Sequence, residues 1–404
     1  MQGQAALAQT GHPVYLCAMF SRRSAVPADP DPLSVALSRA AVSGRPILDL
    51  TVSNPTRALL PFDEPGILRA LSDPRVLDYE PQPFGLPRAR EAIARMWAEQ
   101  GLSVDPGRIV LTASTSEAYA VLFKLLCDPG DEVLVPEPSY PLFEHLARFE
   151  GVRPVGYRLA WDGAWHLDFE SIRAARTART RALVVVSPNN PTGSYVKRAE
   201  LREIESLDLP IVSDEVFASY PLSPDPRRVV SVLEARAPLV IALGGLSKLA
   251  ALPQIKLAWA TLAGSERAVA DALSRLEILL DTYLSPSAPA QVALPALLAA
   301  KHTTEVALRA RLVENLALLS RRVSGTPLTA LQPEGGWMVV LRLPATASED
   351  SWVRGFLEED VLVHPGWFYD FATGPHAVLS LLTPPAVWSE GVERIVRRVE
   401  RGTR

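Results

Sequence analysis

Short apolar runs alternate with segments of helical spacing along the middle of the chain. Runs that are apolar at nearly every position are typical of strands buried on both faces of a sheet. The predicted strands cover residues 109–113, 132–135, 181–187, 209–213 and 239–243, and the predicted helices cover residues 116–126, 197–207 and 267–280. This alternation predicts an α/β fold with a mostly parallel, doubly wound sheet.

The C-terminal part of the chain has a less regular pattern. Its predicted strands cover residues 336–343, 361–364 and 377–382, and its predicted helices cover residues 352–359 and 390–401. Such a mixture favours a smaller α+β domain. We therefore expect a loose arm over residues 1–30, a small domain from residues 31–64 and 291–404, and a large domain over residues 65–290. The proline-rich stretch 285–295 is expected to begin the passage between domains.

Composition narrows the classes of protein. The chain has 404 residues, 48% of them apolar, and its 45 acidic and 41 basic residues give a net charge of −4. This balance predicts no nucleic-acid or membrane partner. The sequence shows no apolar stretch long enough to span a membrane and no signal peptide, so a cytoplasmic location is expected. Cys17 and Cys127 predict no disulfide framework, and the histidines show no metal-ligand spacing.

Candidate binding and catalytic residues follow the predicted strands, at the edge where open parallel sheets bind ligands. Ser114 and Thr115 open a helix after the first strand, where free N–H groups favour a phosphate; a plain helix cap is the competing interpretation. Lys248 follows two glycines after another buried strand. Burial lowers the pKa of an amine and frees it to act as a nucleophile, whereas a surface lysine is the alternative.

Three other strand ends carry an aromatic, an amide and a carboxylate. Tyr140 lies in a proline-rich loop that could hold its ring over a flat ligand, and Asn190 precedes a proline, so its backbone is extended and its amide projects outward. An ordinary loop aromatic and a simple turn are the respective alternatives. Asp214 ends an apolar strand, where a carboxylate is costly unless it meets a cation or a strong donor. A partly solvated strand end is the alternative.

In this order the strand-end residues resemble the class I/II aminotransferase family of fold-type I pyridoxal-phosphate enzymes. The resembling strings are Gly85-Leu86-Pro87-Arg88 after Tyr79, Ala113-Ser114-Thr115-Ser116-Glu117, Pro129-Gly130-Asp131-Glu132-Val133, Pro138-Ser139-Tyr140-Pro141, Ser187-Pro188-Asn189-Asn190-Pro191-Thr192-Gly193, Ser213-Asp214-Glu215, Ser247-Lys248, Pro333-Glu334-Gly335-Gly336-Trp337 and Pro365-Gly366. The resemblance covers about residues 45–400. It implies the aspartate-aminotransferase-like fold and pyridoxal 5'-phosphate as cofactor.

The resemblance also implies a role for each matching residue. Lys248 would hold the cofactor as a Schiff base and move a proton, and Asp214 would keep the pyridine nitrogen protonated. Tyr140 would stack on the ring, and Asn190 would donate to its phenolic oxygen beside Phe217. The phosphate would be bound by Ser114, Thr115, Ser247 and Lys256, and by Tyr79 of a neighbouring subunit, which implies a homodimer.

Departures from the family pattern affect the cofactor site first. Phe217 stands where the family commonly has a tyrosine that donates to the phenolic oxygen, and phenylalanine cannot donate. Lys256 replaces an arginine and offers the phosphate a point charge instead of a bidentate fork. Gly245 replaces a serine that the family often uses for the phosphate.

The departure with the largest consequence is Val378, which stands where the family usually has the arginine that binds the substrate carboxylate. No arginine occurs between Arg354 and Arg394 to replace it. The candidate substrate-binding residues are Ser53, Asn54, Arg57 and Asn190, with Arg342 and His364 as weaker ones. An exposed loop cation is the competing interpretation of Arg57.

These observations favour an aminotransferase that moves an amino group between an amino acid or amine and a keto acid through Lys248. The missing arginine keeps a lyase, a decarboxylase or a racemase open on the same scaffold. A non-catalytic cofactor-binding protein is a further alternative, against which the intact set of Lys248, Asp214 and Asn190 argues. The expected partners are a small-molecule donor and acceptor and a second copy of the chain.

Overall fold

The computed structural model describes residues 20–24, 45–284 and 286–402. Of the predicted N-terminal arm, residues 1–19 and 25–30 lie outside this description, as do residues 31–44 of the predicted small domain. The strands are β1 (Leu48–Asp49), β2 (Ile109–Thr112), β3 (Glu132–Glu137), β4 (Arg153–Trp161), β5 (Trp165–Leu167), β6 (Thr180–Val186), β7 (Ile211–Asp214), β8 (Leu239–Gly245), β9 (Ala258–Gly264), β10 (Thr329–Leu331), β11 (Met338–Arg342), β12 (Val361–Leu362), β13 (His364–Pro365) and β14 (His376–Ser380).

Helices separate most of these strands. They are α1 (Glu64–Leu71), α2 (Pro87–Glu99), α3 (Thr115–Leu126), α4 (Leu142–Phe149), α5 (Phe169–Ala175), α6 (Arg198–Glu205), α7 (Leu246–Leu249), α8 (Glu266–Tyr283), α9 (Ala288–Ala300), α10 (His302–Val323), α11 (Glu349–Glu358) and α12 (Pro385–Gly402). Short 3₁₀ turns occur at Arg22–Ser24, Pro55–Arg57, Pro74–Leu77, Pro106–Arg108, Val232–Glu234, Pro253–Ile255 and Gly366–Tyr369. Within the described ranges, no helix is both long and apolar enough to cross a membrane.

The large sheet has eight strands in the order β2-β9-β8-β7-β6-β3-β4-β5. The pairs from β8 through β7, β6 and β3 to β4 are parallel, whereas β9 runs antiparallel to both β2 and β8. The five strands predicted for this region are all present, so the expectation of a mostly parallel α/β sheet is confirmed. The sequence analysis did not identify β4, β5 or β9. The sheet is mixed because β9 is antiparallel to β2 and β8, and β5 is antiparallel to β4.

Alternate residues of the central strands face two different apolar layers, as the two-residue period of a strand requires. On one face, Val184 and Val212 pack with residues of α3, α4 and α8. On the other face, Leu183 and Ile211 pack with residues of α5 and α6. The sheet is therefore covered on both sides, which explains why its strands are almost continuously apolar.

The C-terminal sheet has the antiparallel order β10-β11-β14-β13, and a separate parallel pair joins β1 to β12. Val339 and Leu379 on one face pack against α10, α11 and α12. Val340 and Val378 on the other face join the apolar layer that covers the large sheet. Segments from both ends of the described chain thus build this region, while the exact domain boundaries stay a prediction.

Some predicted elements differ from those observed. The predicted strand 361–364 is divided into β12 and β13, and the strand predicted over 336–343 is shortened to β11. The proline-rich stretch 285–295 contains the first half of α9, which packs against α1 and α2 and carries Pro295 inside the helix. The sequence analysis predicted no helix there and none for α10.

Candidate active site

Strand register brings the predicted phosphate-binding residues to one edge of the large sheet. Thr112 at the end of β2 is paired with Ala258 at the start of β9, and Ala258 is paired with Gly245 at the end of β8. Ser114 and Thr115 follow the first of these strands, Lys256 precedes the second, and Ser247 follows the third. The segments that carry these four residues therefore all adjoin the same edge of the sheet, at the ends of β2 and β8 and at the start of β9.

The same edge receives the predicted acid and amide. Asp214, the last residue of β7, is paired with Leu243 of β8 and with Val186 of β6. The chain leaves β8 toward Lys248 and leaves β6 toward Asn190. Because β6 and β8 are the parallel neighbours of β7, the segments that lead to Asn190 and to Lys248 start on either side of Asp214.

Helix α3 starts in a form suited to an anion. The Ser114 side chain caps the helix by accepting a hydrogen bond from the N–H of Glu117 at 3.1 Å, and Glu117 Oε2 accepts one from the N–H of Ala113 at 2.5 Å. Ser114 is therefore a helix cap, as the competing interpretation had it. The backbone N–H groups of Thr115 and Ser116 remain directed out of the helix end, where an anion is favoured.

Asp214 is half-buried and is held by two donors. The Tyr119 hydroxyl donates to Oδ2 at 3.3 Å, and the N–H of Val216 donates to Oδ1 at 3.2 Å. Burial nevertheless raises the pKa of Asp214 to about 6, against the opposing effect of these bonds and of the nearby Lys248 amine. A cationic ring nitrogen placed against this carboxylate would relieve the cost of burying its charge. Tyr119 was missed by the sequence reasoning.

The Lys248 amine lies against two aromatic rings. Its Nζ is 5.1 Å from the ring centroid of Trp337 and 5.5 Å from that of Phe217, and these rings meet edge to face at 5.2 Å. Burial lowers the pKa of Lys248, and Asp214 opposes this effect. Within the described part of the chain the amine has no hydrogen-bond or ion-pair partner. It is therefore available for covalent chemistry.

The backbone of Lys248 is fixed by Tyr220. The Tyr220 hydroxyl donates to the carbonyl oxygen of Lys248 at 2.7 Å, and its ring packs edge to face on Trp337 at 5.4 Å. Tyr220 and Trp337 are both almost fully buried. Neither was assigned a role from the sequence, although Trp337 lies in one of the resembling strings. Together they form a rigid wall behind the amine.

Asn190 presents a buried amide to the site. Its Oδ1 has no hydrogen-bond partner among the described residues. The peptide bond between Asn190 and Pro191 is cis. Rotation of the amide by half a turn would offer two N–H donors from the same position, since amide oxygen and nitrogen are nearly isosteric. A ligand oxygen is the partner that this buried group lacks.

Asn189 connects this loop to the loop of Tyr140. Its Nδ2 donates to the carbonyl oxygen of Pro138 at 3.1 Å and to Thr192 Oγ1 at 3.0 Å, and its Oδ1 accepts from Ser139 Oγ at 3.3 Å. The Asn189 side chain is 3% exposed, so these bonds are shielded from water. Tyr140 itself is 44% exposed and sits at the edge of the site. Asn189 is a positioning residue that the sequence analysis did not single out.

Several predicted residues are exposed. Lys256 is exposed and adopts a left-handed backbone with φ 57°. Tyr79 is 78% exposed and lines a cavity of about 530 Å³ with residues of α9. Arg57 is exposed on the turn Pro55–Arg57, and Asn54 Oδ1 caps that turn by accepting from Thr56. The exposed position of Arg57 agrees with its competing interpretation as a loop cation.

Val378 is fully buried in the middle of β14, where it is paired with Val340 and His364. Its side chain packs in the apolar layer that covers the large sheet. Arg342, at the far end of β11, is exposed and paired with His376. Burial lowers the pKa of His364, so its ring is favoured in the neutral form. Neither weaker candidate therefore supplies a cation in place of the arginine.

The residues present fit pyridoxal phosphate. A half-buried carboxylate, an unpaired amine and an unpartnered buried amide oxygen come from adjoining strand ends, beside a helix start suited to a phosphate. These groups match a cationic ring nitrogen, an aldehyde, a phenolic oxygen and a phosphate respectively. Lys248, Asp214 and Asn190 would hold the ring, and Thr115 would contact the phosphate.

Comparison with known proteins agrees with this geometry. The model of the family "Aminotransferase class I and II" matches residues 47–384. The chain belongs to this family. Its members use pyridoxal phosphate, so the predicted family, cofactor and transferase class are confirmed. No finding favours the lyase, decarboxylase or racemase alternatives, or a non-catalytic protein.

The individual relatives are aminotransferases. The aspartate/prephenate aminotransferase of Thermus thermophilus is 31% identical over 332 residues, which is 79% of this chain and 83% of that one. The alanine aminotransferase of Mycobacterium tuberculosis is 26% identical over 380 residues, 90% of this chain and 86% of that one. The structure of an alanine aminotransferase from Pyrococcus furiosus superimposes with a TM-score of 0.84 at 25% identity, covering 95% of this chain and all of that one. The aminotransferase is thus similar to enzymes whose names give different substrates, alanine in some and aspartate or prephenate in another.

Proposed function

We propose that this aminotransferase holds pyridoxal phosphate as a Schiff base on Lys248 and transfers an amino group from a small amino acid to a keto acid. One observation carries the proposal: the half-buried Lys248 has an unpaired amine that lies 5.1 Å from the Trp337 ring centroid, at the sheet edge where Asp214 ends its strand. A lysine in this setting keeps a neutral, nucleophilic amine more readily than a solvated one.

Each residue has a distinct task in this proposal. When bound, pyridoxal phosphate supplies an electron sink for negative charge at the substrate Cα. Asp214 holds the proton of the ring nitrogen, and Tyr119 holds Asp214 in position. Lys248, whose pKa burial lowers, takes up a proton at Nζ and returns it. Asn190 orients the ring through its amide, and Tyr140 covers one edge of the site and limits the access of water.

The names of the relatives suggest substrates to try. They include an alanine aminotransferase, an aspartate/prephenate aminotransferase and a glutamate-pyruvate aminotransferase of Escherichia coli. We infer that alanine, glutamate and aspartate are the donors to test first, with the matching keto acids as acceptors.

The test is a half-reaction followed by absorbance. Each donor is added to the cofactor-loaded enzyme without acceptor, and the loss of the aldehyde-form band is recorded; a keto acid is then added to restore it. We expect at least one donor to bleach the band and its partner acid to restore it, and we expect Lys248→Ala to do neither. Turnover of donor without bleaching would instead indicate a different pyridoxal-phosphate reaction.

We also propose that two copies of the chain form a homodimer with shared sites. Tyr79 is exposed at the protein surface, and Leu77 and Leu284, which are close in sequence to residues that line the same cavity, are 86% and 64% exposed. Large apolar side chains exposed together are typical of an interaction surface. In this arrangement Tyr79 serves the site of the other subunit. The cytoplasmic location stays a prediction from the sequence.

Subunit mixing tests the shared site. Lys248→Ala and Tyr79→Ala chains, each inactive alone, should regain about a quarter of wild-type activity when mixed and reassembled, because half of the dimers then contain one intact site. The matched control mixes Lys248→Ala with Asp214→Ala. Both defects fall in the site of their own chain, so no activity should return. Recovery in the control, or a monomer in sedimentation, would contradict the shared site.

A further inference from the structure

The position where a substrate carboxylate would need a partner is occupied by an apolar strand. Val378 is fully buried, and its side chain packs in the same apolar cluster as Val340 and Tyr369. His364 is paired with Val378 across the strand, and burial lowers its pKa against the opposing effects of Asp49 and the Thr51 backbone. In the described part of the small sheet, two polar side chains near Val378 lack a hydrogen-bond partner, His376 through its Nδ1 and Tyr369 through its hydroxyl. Burial lowers the pKa of His376 to about 4, so its ring supplies no cation.

Tyr369 ends the 3₁₀ turn Gly366–Tyr369 and is packed on several sides. Its ring contacts that of His364 at 5.8 Å and that of Phe368 at 5.3 Å, both nearly perpendicular. The residue is 2% exposed. Such packing fixes the ring and leaves the hydroxyl as its only polar atom.

The backbone of Tyr369 also joins the loop that carries Tyr140. The N–H of Ser139 donates to the Tyr369 carbonyl oxygen at 2.9 Å. Burial and the neighbouring Tyr140 phenol raise the pKa of Tyr369, so its hydroxyl stays a neutral donor. Among the residues that the structure describes, no partner accepts a hydrogen bond from this hydroxyl. Tyr369 thus joins the apolar layer of Val378 to the loop of Tyr140, and its hydroxyl is a free donor.

We propose that Tyr369 is a specificity-determining residue whose hydroxyl donates to a carboxylate oxygen of the substrate, in the place of a guanidinium. This inference rests on the proposed transfer of an amino group from an amino acid. A single neutral donor binds a carboxylate more weakly than a bidentate arginine does. The enzyme therefore prefers donors with a carboxylate by a modest factor, and it also accepts simple amines at higher concentration.

Tyr369→Phe tests the role, because it removes the hydroxyl and keeps the packed ring. The matched control is Tyr157→Phe, in which a buried hydroxyl that donates to the Val184 carbonyl at 2.9 Å is removed within β4. For both variants and the wild type, calorimetry measures the dissociation constant of propanoate, a carboxylate without an amino group. Absorbance then measures half-saturation and the maximal rate of the half-reaction with alanine and with propylamine.

We expect Tyr369→Phe to weaken propanoate about tenfold and to raise the half-saturation of alanine by a similar factor, as for one hydrogen bond to a charged group. The maximal rate and the propylamine reaction should stay close to wild type, and Tyr157→Phe should change neither ligand. The role of Tyr369 would be overturned if Tyr369→Phe left propanoate binding unchanged or affected alanine and propylamine equally. It would also be overturned if the wild type bound no propanoate. A wild type that binds propanoate but converts no donor would instead refute the proposed amino transfer.

Discussion

Burial of Glu215 predicts that the stability of the cofactor-free protein falls as the pH rises. Glu215 follows Asp214 and is 7% exposed. Its Oε1 accepts hydrogen bonds from Ser213 Oγ and from the N–H of Val232, both at 2.9 Å, whereas Oε2 has no partner among the described residues. Burial raises the pKa of Glu215 from 4.5 to about 7 despite these bonds. The folded protein therefore binds this proton more tightly than the unfolded chain does.

The size of the effect follows from the two pKa values. Each pH unit between 4.5 and about 7 corresponds to about 1.4 kcal/mol, so the full effect is about 3 kcal/mol. The stabilisation is complete below pH 4.5, where both states are protonated, and it is lost as the pH rises through the folded value near 7. Asp214, with its pKa raised to about 6, adds to the same slope in the cofactor-free protein.

Urea denaturation between about pH 4.5 and 8 measures this slope, with the free energy of unfolding of the apoprotein compared at each pH. Gln is a neutral stand-in for the protonated carboxyl, so Glu215→Gln should be close to the wild type in stability at low pH and more stable than it above the folded pKa near 7. Its pH dependence should be flatter, with the slope of Asp214 remaining. Glu99→Gln, at an exposed site at the end of α2, is the matched control and should follow the wild type. Equal slopes for wild type and Glu215→Gln would refute the assignment of a buried, protonated carboxyl.

Three substitutions test the contacts that build the site. Asp214→Asn should raise the cofactor dissociation constant by at least about tenfold, since a charged partner of the ring nitrogen is lost; fluorescence titration measures it. Asn189→Ala should lower the free energy of unfolding by about 1–3 kcal/mol, because it leaves buried partners in two loops unsatisfied; an unchanged urea midpoint would contradict this. Glu334→Ala should lower the free energy of unfolding by about 3 kcal/mol, because Glu334 pairs with the largely buried side chains of Lys197 and Arg228 at 2.7 and 3.4 Å. Glu334→Gln should lower this free energy less.

The strand-end residues could be predicted because their positions depend only on which residues directly follow each apolar strand in the sequence. Ser114, Asn190, Asp214 and Lys248 each follow an apolar run, and parallel strands bring their carboxyl ends to one edge whatever the loops do. The absence of a guanidinium at Val378 could likewise be read directly from the sequence. The strand β9 was not identified, and its antiparallel direction could not be predicted either, because a strand buried on both faces has the same apolar pattern whether it runs parallel or antiparallel.

Residues that act through distant contacts left no sequence signal. Tyr119 donates to Asp214 across 95 positions of chain, and its helical spacing alone is that of a core aromatic. Tyr369 becomes relevant only because its turn is bonded to Ser139 in the other half of the protein. Helix α9 was missed because the prolines of its first half are usually signals of a loop, although burial of its apolar residues against α1 and α2 stabilises the helix.

Covalent capture of the cofactor tests the central claim most directly. The enzyme loaded with pyridoxal phosphate is reduced with borohydride and digested, and the modified peptide is identified by mass spectrometry. We predict a single modified residue, Lys248, and no labelling of Lys256 or of the Lys248→Ala protein. A label on another lysine, or a protein that remains unmodified and colourless after incubation with the cofactor, would contradict the assignment of Lys248 as the cofactor-binding amine.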